Sequence, residues 1–182
     1  MATADDAGTL DPELPINVRL RDAGAGLVVR VLAVNDGEKY AIVGAGAIES
    51  TFHVPFGWHV IDDGQRTLVF EPTLGVQISL NLRPATSDAL HALLESIGDE
   101  LARDHPKALF LRLEILGMPC LAVRDIVIEG ESLDQAYLAR ASHRPDLALV
   151  CRVTAERAQI EGAMNTAEVI LRSLNTPSDN NG

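Results

Sequence analysis

A chain of 182 residues can bury one sizeable core, and a single domain is the expectation at that length. Its formal charge of -11, from 26 acidic against 15 basic residues with only Lys39 and Lys107 as lysines, argues against a nucleic-acid partner, because neutralising phosphates needs clustered Lys and Arg. Apolar residues make up 47% but aromatics only 4%, so the core is expected in Leu, Val, Ile and Ala, and platforms for stacking bases or sugars are scarce.

Residues 1–15 are acidic, small and punctuated by proline, and they read as a flexible tail. They have neither the basic start nor the apolar run of a secretory signal, and no stretch of 18 apolar residues occurs. We therefore expect a cytoplasmic protein with no membrane partner. At 16–21, Ile16, Val18 and Leu20 alternate with Asn17, Arg19 and Arg21, as in a half-buried strand. Two glycines in 22–26 end it. Stretches 27–34 and 39–43 flank Asn35-Asp36-Gly37-Glu38, the strongest hairpin signal of the chain, since Asn and Gly tolerate left-handed dihedrals. Residues 16–43 are thus a strand and hairpin extension at the start of one domain spanning 16–175. Small residues 44–50 lead into 51–61, which reads as extended but interrupted at Pro55 and Gly57.

Asp62-Asp63-Gly64 is a turn before the strand 66–71. In the next strand Val76, Ile78, Leu80 and Leu82 point one way, and Gln77, Ser79, Asn81 and Arg83 the other. Pro84 ends it, and Thr86 or Ser87 is placed to cap a helix. Leu90, Leu93, Leu94, Ile97 and Leu101 form one stripe of a 3.6-residue period, and His105-Pro106 stops the helix near Arg103. Leu109, Leu111, Leu113 and Ile115 then alternate with Phe110, Arg112 and Glu114. Turns at Gly117-Met118-Pro119 and Glu129-Gly130-Glu131 delimit an extended stretch 120–128, and strands 133–141 and 147–153 follow. Thr154 is placed to cap a second helix with the stripe Ile160, Ala163, Met164, Ala167, Ile170, Leu171 and Leu174. Residues 176–182 read as a disordered polar tail. Each helix must bury its stripe, so one antiparallel or mixed sheet flanked by two helices is the economical solution.

Chemistry is sparse. His53, His59, His91, His105 and His143 lack zinc spacing, so no metal is expected. Gly44-Ala45-Gly46 lacks the third glycine and the helix of a dinucleotide fingerprint, and no cofactor is expected. Cys120 and Cys151 lie in apolar strands as free thiols whose burial makes them inert, as in a reducing compartment. We expect no catalytic residues. The nearest polar cluster is His53, His59, Asp62 and Asp63, which reads either as an imidazole–carboxylate base or as plain turn chemistry. Phe52-His53-Val54-Pro55-Phe56-Gly57-Trp58 holds the only tryptophan and two of four phenylalanines. It reads either as a binding surface or as a kinked edge strand that swings Trp58 into the core. The candidate ligand- or partner-binding residues are Phe52, His53, Phe56, Trp58, His59 and Asp62.

The succession Phe52–Trp58, Thr67-Leu68-Val69-Phe70, Gln77-Ile78-Ser79-Leu80, Leu111-Arg112-Leu113-Glu114, Gly117-Met118-Pro119-Cys120 and Ile170-Leu171-Arg172-Ser173-Leu174 resembles the PsbP-like superfamily, and within it the bacterial DcrB-like proteins. The resemblance covers about residues 50–175. It implies an α+β protein, a three-layer α/β/α sandwich around a mostly antiparallel sheet. Relatives include photosystem extrinsic subunits, a nuclear-transport GTPase partner, lipoproteins and adaptor chaperones, which implies binding rather than turnover. No catalytic residue carries over. Pro55, Gly57 and Trp58 would form the turn that opens the domain, and Ser173 and Leu174 the end of the docked helix. The chain departs from the lipoproteins in having no lipidated cysteine near its start.

The leading expectation is a non-catalytic protein-binding protein of adaptor or chaperone type, with a protein partner or a homodimer formed through an exposed sheet edge. Its rival is a small-ligand-binding protein or enzyme using His53, His59 and Asp62.

Overall fold

Period-two alternation bounded by glycine turns builds most of this chain, and two helical stripes build the rest. The computed structural model describes residues 17–20, 30–34, 40–55 and 57–175. The elements are β1 (Asn17–Leu20), β2 (Arg30–Val34), β3 (Tyr40–Ala45), β4 (Ser50–Pro55), β5 (His59–Asp62), β6 (Thr67–Glu71) and β7 (Val76–Pro84). After them come α1 (Leu90–Asp104), β8 (Leu109–Ile115), β9 (Met118–Ile128), β10 (Glu131–Ala141), β11 (Leu147–Ala155) and α2 (Ile160–Ser173), with a 3-10 turn at Gly46–Ile48.

Eight strands form one sheet in the order β1-β5-β6-β7-β11-β10-β9-β8, and β2-β3-β4 form a second. All pairings are antiparallel except β1 with β5, which run parallel with Asn17 opposite His59. Alternation along β10 sorts the core into two. Ala136 and Leu138 face a large cluster that includes Ala163, Ala167, Ile170 and Leu171 of α2. Tyr137 and Ala139 face a smaller one with Leu94 and Ile97 of α1. The helices therefore cover opposite faces of a mostly antiparallel sheet, and the fold is an α+β sandwich of three layers. Each fully buried aliphatic side chain such as Ile170 contributes roughly 1.5–3 kcal/mol.

The small sheet packs against α2 through β4. Phe52 and Val54 of β4 are fully buried in the large cluster. Ser173 Oγ accepts the His53 N–H at 2.8 Å and donates to the Ile170 carbonyl at 3.0 Å. Thr51 and Asn175 exchange backbone bonds of 2.8 and 2.9 Å. Arg140 donates to the Leu171 carbonyl at 2.9 Å, so the helix's C-terminal end is fastened from both sides.

Several local expectations are corrected. The extended stretch 51–61 is not one interrupted strand: β4 and β5 lie in different sheets, and Gly57, at φ +88°, makes the crossing in a left-handed conformation that L side chains rarely adopt. For 16–43 the sequence leaves the sheet open, and in the structure β1 joins the large sheet while β2 and β3 join the small one. Neither Thr86 nor Ser87 caps α1, since the N-cap is Ala89 and Thr86 bonds the Asp88 carboxylate instead. Thr154 lies inside β11, where its hydroxyl accepts from Gln135 Nε2 at 3.2 Å, and α2 starts behind Gln159. The tail 1–15, the turn 35–38, the tail 176–182 and Phe56 lie outside the described residues.

Candidate functional site

The five described candidates, Phe52, His53, Trp58, His59 and Asp62, do not form one site. Along β5, Val60 and Asp62 turn inward while His59 and Ile61 occupy the opposite face, as a period of two requires. His53 is on β4, in the other sheet. Asp62 is fully buried, and its carboxylate is consumed by structure. It accepts the Ala47 N–H at 2.9 Å, the Gly64 N–H at 2.9 Å and the Thr67 hydroxyl at 3.4 Å. It thereby ties the end of β5 both to its own turn and to the 3-10 turn after β3. The His59 ring stacks on Phe70 with centroids 5.1 Å apart. Next to it, the hydroxyl of Thr73 holds the Glu71 carboxyl below its usual range, helped by the Leu74 N–H. Phe52 belongs to the core. Trp58 is half-buried and packs on the large cluster rather than standing as a fully buried anchor or a free surface aromatic.

The imidazole–carboxylate base is thus not assembled: the carboxylate already holds three donors, and one strand separates it from His59 by facing. The cysteines offer no nucleophile. Burial pushes the Cys120 thiol up to about 11 and the Cys151 thiol up to about 12. Among the described residues no group of three His, Cys, Asp or Glu side chains is placed to hold a metal.

The feature that stands out lies at the far edge of the large sheet. β8 is its terminal strand, paired on one side with β9. Leu109, Leu111 and Leu113 share a face with Ile115, which packs into the large cluster, yet α2 does not reach over them. They are 59%, 42% and 49% exposed. A bulge in β9 extends the stripe. Asp125, at φ +60°, donates its N–H to Asp134 at 3.1 Å, and Arg157 bridges the two carboxylates at 2.9 and 3.3 Å. The register shift buries Ile126 under α1 and leaves Val127, opposite Ser132, 59% exposed.

On the other face of β8, Arg112 forms a two-pronged ion pair with Glu95 of α1, one bond being 2.7 Å. The guanidinium hydrogen bond holds the Glu95 carboxyl below its usual range, and Glu95 raises Arg112 in return. Beside the pair is a cavity of about 230 Å³ lined by His91, Leu94, Glu95, Arg112, Glu114 and Cys120 among others. A smaller one of about 100 Å³ lies near Arg140 and His143. Neither is lined by His53, His59 or Asp62. Chemically, β8 offers a strand edge that no described residue pairs with, an apolar stripe on one face and an acidic and basic pair, Arg112 and Glu114, on the other. Sequence reasoning missed it because an alternating Leu strand looks the same whether a helix covers it or not.

No protein-family model matches the chain, and no curated protein does. It is similar to a solved structure from Bacteroides thetaiotaomicron VPI-5482, with a TM-score of 0.43 and 15% identity over 70% of this chain. The chain spans only 45% of the length of that structure. It is also similar to LpqN of Mycobacterium tuberculosis, which is involved in cell envelope biogenesis, with a TM-score of 0.43 and 14% identity over 83% of this chain and 92% of that one. No helix among the described residues is long and apolar enough to cross a membrane.

Proposed function

We propose that this chain is a non-catalytic protein-binding module of PsbP-like, DcrB-like kinship, and that it docks its partner on the β8 edge. The observation that carries the reading is the row Leu109, Leu111 and Leu113, all more than 40% exposed on a terminal strand. An open edge of this kind recruits an extended segment: main-chain hydrogen bonds supply affinity and alternate side chains select the partner. β8 carries neither proline nor lysine, the residues that commonly blunt such an edge. The buried free thiols Cys120 and Cys151 favour a reducing, cytoplasmic setting.

The test is site-specific photo-cross-linking in cells of the source organism. A benzophenone side chain at Leu111 is expected to yield a discrete protein adduct. The same group at Leu74, as exposed but on the β6–β7 turn, is expected to yield none. Equal labelling from both positions, or no adduct from Leu111, refutes the reading.

A further inference from the structure

We infer that the occupant of this edge is a second copy of the same chain, β8 pairing antiparallel with β8 across a twofold axis at Leu113. The inference rests on the reading of β8 as a docking edge and names its partner. In such a pair, residues directly opposite share a face, so the axis must pass through a residue rather than between two. An axis at Leu113 sets Leu113 against Leu113 and Leu111 against Ile115 on the apolar face. On the other face it sets Arg112 against Glu114, twice. Opposite charges directly across strands attract, and the apolar pairs add to them.

The neighbouring registers are poorer. An axis at Arg112 sets Arg112 against Arg112, a like-charge pair, and leaves Glu114 facing Phe110. An axis at Leu111 sets each Arg112 against Phe110 and pushes Glu114 beyond the strand. Only the Leu113 axis of these three gives both charged residues an opposite partner. It also brings Phe110 of one copy toward Leu116 of the other, which is exposed at the end of the strand. Arg112 would then lie between Glu95 of its own α1 and Glu114 of the second copy, at the wall of the 230 Å³ cavity. The overlap is short, so affinity of about micromolar strength is expected.

The experiment is sedimentation of the full chain over a concentration series, with charge and cross-linking variants. Wild type is expected to sediment as a dimer at its upper concentrations. Glu114→Arg is expected to weaken the dimer by about tenfold or more, and adding Arg112→Glu to restore it, because the two pairs are then reversed rather than broken. Both side chains are exposed, so the fold is expected to survive the exchange. In a Cys120→Ala background, a short bis-maleimide is expected to link Leu113→Cys into a covalent dimer. It is not expected to link Leu109→Cys, whose mate would lie about 27 Å away along the strand at ~3.4 Å per residue.

A wild type that stays monomeric at every concentration overturns the inference, as does a dimer that Glu114→Arg leaves intact or that links through Leu109→Cys as well as through Leu113→Cys. None of these outcomes touches the wider reading, which fails if Leu111 gives no discrete adduct in cells or labels no differently from Leu74.

Discussion

Replacing Asp62 by alanine removes the acceptor for three donors at once. The Ala47 and Gly64 amides, each at 2.9 Å, are bonds to a charged oxygen, worth about 1.5–3 kcal/mol apiece. Thr67 Oγ1 at 3.4 Å adds a weak third. Their gross loss is about 3–6 kcal/mol. Water can take over part of it at half-exposed Gly64 and Ala47, and the buried carboxylate's desolvation cost disappears with the side chain. A net destabilisation of about 3–4 kcal/mol follows. Asp62→Asn keeps one oxygen acceptor but aims an amide donor at the remaining N–H, for about 2 kcal/mol. Equilibrium urea unfolding of the three proteins, followed by circular dichroism, measures both numbers. Amide exchange at Ala47 should also quicken in Asp62→Ala if the carboxylate pins the 3-10 turn. An Asp62→Ala midpoint that moves by less than about 0.5 kcal/mol would refute the reasoning and return the carboxylate to the list of groups free for chemistry.

Trp58→Ala should cost about 1.5–3 kcal/mol, below the ~3–5 of a fully buried large aromatic, because the indole is half-buried against the large cluster; thermal melts decide it. With thiols at about 11 and about 12, less than ~0.1% of either is thiolate at pH 8, so a thiol-specific reagent should titrate two groups only after unfolding. The Cys151 proton also makes stability fall with rising pH. Its folded value lies above the ordinary 9.0, so nothing is lost below about pH 9 and about 1.4 kcal/mol is lost per unit from there toward 12. Urea midpoints between pH 9 and 10.5 should therefore drop less steeply in Cys151→Ala. Gly57→Ala should cost about 1 kcal/mol from its +88° φ alone, since open space surrounds the added methyl; a larger loss would mean that the crossing between sheets is more constrained than its surroundings indicate.

Both helices were legible because their stripes are long and regular: Ala163, Ala167, Ile170 and Leu171 are buried as the 3.6 period requires. The alternation of Val76, Ile78 and Leu80 was legible for the same reason. What alternation cannot convey is which sheet a strand joins. Residues 51–61 show an interruption at Pro55 and Gly57, but only the partners, Tyr40 opposite Pro55 on one side and His59 opposite Phe70 on the other, assign the two halves to different sheets. Caps were misplaced because a threonine near a helix start can satisfy a side chain instead, as Thr86 does with Asp88. The polar cluster was suggested by closeness in sequence, but three residues along a strand change the face, and His59 and Asp62 part there. The leucines of β8 are legible in the sequence as one side of an alternating strand, but not as an exposed row. Their exposure follows from how far α2 reaches, and no local pattern encodes that distance.

The bridge between Thr51 and Asn175 spans 124 residues and bears on how the protein is made. During synthesis β2, β3 and β4 can meet within some 25 residues of chain, soon after they emerge. The apolar side of β4, with Phe52 and Val54, has to wait for α2, which is translated last. At about 5–20 residues per second that interval is on the order of 6–25 seconds. Throughout it a finished three-stranded sheet presents its wet-side and core-side residues alike to solvent. Closure by a late, distant helix also raises contact order and slows the final step. A nascent chain arrested before α2 is therefore the species most exposed to aggregation and to chaperone capture.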